Sequence, residues 1–121
     1  MNIKEEEIKK KLFNYGLKAF RNHDFYDAHE YWEDLWSDYR LTDAKFIQGL
    51  IQLAVGYFHI SNLNINGARG LFKKCVPKLI EYKPIYRNID IDLILNSIDQ
   101  TLEYLDKNDI SEFDWTLVPK I

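Results

Sequence analysis

The residues with chemistry to offer in this chain are a few histidines, carboxylates and amides set at helical intervals. His29, Glu30 and Glu33 form a His-Glu-x-x-Glu motif. On a helix, His29 and Glu33 share one face at i and i+4. In the related motif His-Glu-x-x-His two imidazoles hold zinc and the glutamate acts as general base. Here the second imidazole is replaced by Glu33, so a divalent metal needs another donor, for which His59 is the candidate. Gln48 and Gln52 are weak zinc ligands, and no Glu-x-x-His pair of the di-iron bundle kind is present. The same residues also suit two readings without a metal. One is a hydrogen-bonded network that satisfies imidazoles inside a helical core. The other is a pocket for a small polar ligand.

Nucleophilic catalysis finds no support. Ser37, Ser61, Ser97 and Ser111 lack a Gly-x-Ser-x-Gly elbow, and no glycine-rich phosphate loop follows a strand. No catalytic residue is assigned. The primary reading is a non-catalytic helical module with a buried cluster of His29, Glu30, Glu33, Trp36, Gln48, Gln52 and His59. A metal-dependent, hydrolase-like enzyme using His29, Glu33 and His59 is the alternative, and otherwise no cofactor is expected.

The elements that must position these groups are helices, because apolar residues recur at helical spacing and no segment alternates at period two. A first helix is expected over 4–21, with Ile8, Leu12, Phe13, Gly16, Leu17 and Phe20 turned inward. A second runs from an Asp24 cap to about Tyr39, with Phe25, Ala28, Trp32, Leu35, Trp36 and Tyr39 on its inner face. Thr42 or Asp43 caps a third, reaching Asn62, whose circumference is apolar except for Gln48, Gln52 and His59. That pattern marks a central, buried helix. Gly49 and Gly56 on it predict a neighbouring backbone packed close, since glycine costs about 1 kcal/mol against alanine in a helix. A fourth helix covers 67–80, with Pro77 predicting a kink or an early end. A fifth begins at Asp90 or Asp92, with Leu93, Ile94, Ile98, Leu102 and Leu105 inward. The tail from Asn108 lacks helical spacing and is expected to pack as an extended strap. The fold class is therefore all-α: one domain over 1–121, about five helices and no sheet. Antiparallel packing of the second and third helices brings His29 and Glu33 to face Gln52 and His59.

Composition narrows the partners. Sixteen basic and nineteen acidic residues leave a net charge of −3, which does not suit nucleic acid. Lys9-Lys10-Lys11 and Lys73-Lys74 read as solvated helix faces. The apolar stretch 46–60 is shorter than the roughly 20 residues a bilayer requires, and no lysine-flanked amphipath suits a membrane surface. Charged residues follow Met1 without an apolar run, so no signal peptide is expected, and the lone Cys75 reads as a buried, inert thiol. A cytoplasmic protein is the expectation. An aromatic share of 15%, including Tyr26, Tyr31 and Trp115 off the main stripes, points to a homodimer or a partner protein.

Two blocks also carry a resemblance. Phe25-Tyr26-Asp27-Ala28-His29-Glu30-Tyr31-Trp32-Glu33-Asp34-Leu35-Trp36 and Phe46-Ile47-Gln48-Gly49-Leu50-Ile51-Gln52-Leu53-Ala54 resemble the prokaryotic family called domain of unknown function 309. The likeness continues through Tyr57, Phe58 and His59 to Asn64, Gly67 and Ala68, and then to Leu79, Tyr82, Pro84 and Ile89-Asp90. It spans roughly 13–105. The resemblance implies an all-helical array and no transferable activity. Its motif positions fall on His29, Glu30, Glu33, Trp36, Gln52 and His59.

Overall fold

In a computed structural model that describes residues 3–121, the chain folds into five α-helices. They are α1 (Ile3–Arg21), α2 (Phe25–Asp38), α3 (Ala44–Ser61), α4 (Ile65–Leu79) and α5 (Ile91–Lys107). Met1 and Asn2, where the reading of the N-terminal segment begins, lie outside the described residues. Glu5 and Glu6 in the first turn of α1 and Lys18 and Arg21 in its last complement the helix dipole. Helices α1 to α4 are consecutive neighbours in space: α1 packs on α2, α2 on α3, and α3 most extensively on α4.

The α1–α2 and α3–α4 connections are the same turn built twice. His23 and Leu63 adopt left-handed backbone, with φ of 60° and 59°. The amides of Asp24 and Asn64 then reach back to the carbonyls of Ala19 and His59, each at 2.8 Å. This is a helix C-terminal closure that glycine ordinarily serves. Asn64 also accepts from the Gly67 amide and starts α4 two residues earlier than the sequence suggests. Asp24 occupies the equivalent place before α2 without a side-chain capping bond.

Helix α3 is the centre of the core, with ten buried residues from Phe46 to Ile60. Around it Phe20, Phe25, Trp32, Tyr57 and Phe72 form a continuous aromatic cluster. The Tyr57 hydroxyl is paired with Thr101 Oγ1 of α5 at 2.9 Å, so both buried oxygens are satisfied. Gly49 and Gly56 do allow a close approach, but to side chains: an added Cβ would lie 2.8 Å from Leu79 and 2.6 Å from Phe72. The tightest glycine is Gly16, where an added Cβ would lie 2.1 Å from the Trp32 indole nitrogen. That nitrogen donates to the Phe13 carbonyl at 3.2 Å.

Several expectations are corrected. Pro77 sits in the last turn of α4 without ending the helix there: α4 continues to Leu79 and passes into a 3-10 turn at Ile80–Tyr82. A short sheet is present: β1 (Ile85–Tyr86) pairs antiparallel with β2 (Ile89–Asp90) through a two-residue turn at Arg87-Asn88. Ile8, Trp36 and Leu93, placed on inward stripes, are partly exposed. Each lies at the border of its stripe, where a projection assigns the side least securely. The tail is a strap, as expected, though it holds two short 3-10 turns at Ile110–Glu112 and Trp115–Leu117. Phe113 and Val118 are buried beneath it, and the Trp115 ring stacks on Phe25.

Candidate functional site

Only one stripe of α3 stays uncovered. Gln48, Gln52, Val55 and His59 follow one another at helical spacing, and each is half-buried between α2 and α4. The α2 flank carries Tyr26, His29, Glu33 and Trp36. The α4 flank carries Gly67 and Lys78. Where His29 and His59 converge, with Tyr26, Val55 and Phe58, the helices leave a small pocket of about 140 Å³. The Tyr26 ring leans on both His29 and Phe58, at 5.5 and 5.4 Å between centroids.

The geometry fixes which atoms this stripe presents. Asn64 Oδ1 accepts from Gly67 N, which sets the amide orientation and turns its Nδ2 toward His59 Nδ1 at 3.4 Å. The Asn64 amide can only donate there, so a neutral His59 carries its proton on Nε2. Gly67 leaves room for this ring, since a Cβ would stand 2.9 Å from His59 Cγ. Lys78 Nζ donates to Gln52 Oε1 at 3.0 Å and to the Lys74 carbonyl at 3.2 Å. Gln52 therefore keeps its N–H₂ group for another partner. The result is a row of N–H donors beside an apolar pocket, with Glu30 and Glu33 as acceptors at the α2 edge. Glu30 acts locally on Tyr26, raising the pKa of its hydroxyl by hydrogen bonding and then by charge.

The seam is brought together only in part as the sequence suggests. His29 and His59 line one pocket. No hydrogen bond links His29 or Glu33 to Gln52 or His59, and all four side chains are half-buried, so the closed core network is not formed. Gln52 turns to α4 because Lys78 offers its side-chain carbonyl a charged donor. Glu30 is exposed, and Trp36 is 37% exposed at the far end. Among the described residues, no three His, Cys, Asp or Glu side chains are grouped to hold a metal ion. His23 is exposed and stacks on Phe25. The Cys75 thiol is buried against the Phe72 carbonyl, and desolvation pushes its pKa up to about 12, which suits an inert thiol.

One charged site was not foreseen. Asp43, read as a cap, is 6% exposed and makes no side-chain capping bond. Its carboxylate instead takes a fork from Arg87, Nε at 2.7 Å and Nη2 at 3.1 Å, and a bond from the Tyr86 hydroxyl at 3.1 Å. The signal lay in Tyr86-Arg87-Asn88-Ile89, where apolar residues flank a turn-sized pair. A two-residue turn folds the arginine back over the start of α3.

No helix of the described residues is long and apolar enough to cross a membrane. Neither a curated protein nor a solved structure matches the chain. A family model does match, that of a domain of unknown function (DUF309), over residues 13–71. The matched segment runs from the second half of α1 through the first turns of α4, and so contains the α2 flank, the whole open stripe and Gly67, with Lys78 beyond its end. Over that segment, the chain is similar to the domain of unknown function 309 family.

Proposed function

We propose that this protein is a single-domain, non-catalytic binding module acting in the cytoplasm of a prokaryote, and that the α2–α3 seam recognises a segment of a partner protein. The observation that carries the reading is the one open stripe on an otherwise buried central helix, with N–H donors set beside a small apolar pocket. A pocket of about 140 Å³ suits a single aliphatic side chain. Sites for drug-sized ligands are larger, about 300–1,000 Å³. The groups beside it, His59 Nε2–H and the Gln52 amide, call for carbonyl oxygens. An apolar side chain accompanied by carbonyls is what a peptide segment offers. On this reading His29, Glu33, Gln48 and Trp36 border the same surface, and neither nucleic acid nor a bilayer has a part in it.

N-acetyl-leucinamide is a minimal probe, combining one aliphatic side chain with amide carbonyls. Titrating it while following the imidazole Cε1–H resonances should give saturable, millimolar-range shifts at His29 and His59 and none at His23. Val55→Trp, which fills the pocket from its wall, should abolish them while the helical signal persists. Absence of shifts up to the solubility limit, or shifts indifferent to Val55→Trp, would overturn the proposal.

A further inference from the structure

The start of α1, the α2–α3 loop and the hairpin enclose a region of different chemistry. Two adjoining clefts, of about 550 and 450 Å³, share Lys10, Phe13 and Arg87. Five cationic side chains line them: Lys9, Lys10, Arg21, Arg40 and Arg87. Two acids, Glu6 and Asp43, oppose these. In a chain of net charge −3 this is a local reversal of sign, and concave low-dielectric walls concentrate such a field.

Both acids are already engaged. Glu6 pairs with Lys9 at 2.6 Å, and Asp43 holds Arg87. Lys10 and Arg40 form no ion pair among the described residues. The charge of Arg87 reaches Lys9 and works against its protonation, although the Glu6 hydrogen bond prevails and raises the lysine's pKa overall. Like charges are thus gathered in the cleft, and the two acids that line it are already paired.

Arg87 is also held still. The Asp43 fork fixes two of its N–H groups, and its guanidinium lies 4.5 Å over the Phe13 ring. Of the five donors a guanidinium carries, the remaining three have no partner. The turn that delivers it is built from two left-handed residues without glycine, Arg87 at φ 49° and Asn88 at φ 60°. Such backbone costs a bulky residue like arginine about 1–2 kcal/mol.

We propose that this cleft binds a small multivalent anion of the phosphate class, with Lys10, Arg40 and Arg87 contacting it and Asp43 positioning Arg87. The site shares no residue with the open stripe of α3, so it stands or falls independently of the seam. Pyrophosphate serves as the probe, by calorimetric titration of the full chain. The wild-type protein should bind saturably, and the double variant Lys10→Glu/Arg40→Glu should bind at least tenfold more weakly. Both substituted residues are exposed and unpaired, so the variant retains the fold. A control variant of equal charge change on α4, Lys73→Glu/Lys74→Glu, should bind as the wild type does. No saturable binding by the wild type, or equal weakening in the two variants, would overturn the site.

Discussion

Asp43→Asn retains the shape of the side chain and removes its charge, which isolates what the carboxylate does. In the native protein it neutralises Arg87, accepts from the Tyr86 hydroxyl and thereby ties the hairpin to the first turn of α3. Arg87 keeps about a third of its side chain in solvent, so the loss falls below that of a fully buried ion pair. The expected destabilisation is about 2–3 kcal/mol, measured by chemical denaturation. Asp43 also shows how a single residue hides its role in a sequence. Aspartate before an apolar helix reads as an N-cap, and the partner that overrides this lies in a turn 44 residues away. His29 and His59 were legible because each belongs to a local helical spacing. The partners of Gln52 and His59 were not, since Lys78 is brought in by the packing of α4 on α3 and Asn64 by the turn between them.

Glycines separate two kinds of helical contact. Gly16 sits against the rigid indole of Trp32, whose ring is itself held by its bond to the Phe13 carbonyl. Gly16→Ala therefore forces α1 and α2 apart or breaks that bond, and should cost about 1–3 kcal/mol. Gly70 on α4 has nothing within 4 Å of an added Cβ. Gly70→Ala should gain about 0.5–1 kcal/mol from backbone entropy alone. Paired melting curves read both signs. All five helices were visible in the sequence because each has its own apolar period. The hairpin was not, because two-residue strands are too short to show a period at all. The fourth helix begins early for a related reason: Asn64 caps it, but Asn64 and Asn66 together read as a polar turn.

At the scale of the whole molecule, stability should fall on the alkaline side. Burial raises the pKa of Cys75 from 9.0 to about 12 and that of Tyr57 well above its ordinary 10.0. The sign follows from proton binding: the folded protein keeps protons that the unfolded chain releases. This contribution is intact below pH 9 and is lost as pH climbs through the unfolded values toward the folded ones. Each group adds a slope of up to about 1.4 kcal/mol per pH unit. Urea midpoints measured from pH 8 to 11 should decline, and Cys75→Ala should remove the limb that begins near pH 9.

The strap gives the molecule a seam of another sort. Trp115 stacks on Phe25 and meets Phe113 edge-on at 4.9 Å, while Arg21 donates to the Ile121 carbonyl. Helices α1 to α4 pack on one another directly, so lifting the end of the tail is expected to leave them packed. Regions held by few buried contacts open well below the free energy of global unfolding. The opening removes the Trp115 cover from Phe25 and widens the cleft of about 680 Å³ between the strap and Phe20. The three tryptophans differ enough to report it optically. Trp32 is sealed in the core, Trp36 is already wet, and Trp115 alone changes surroundings when the strap moves. Fluorescence and helicity would therefore part company at mild denaturant, and the first species to appear is a fully helical protein with its aromatic core open at one end.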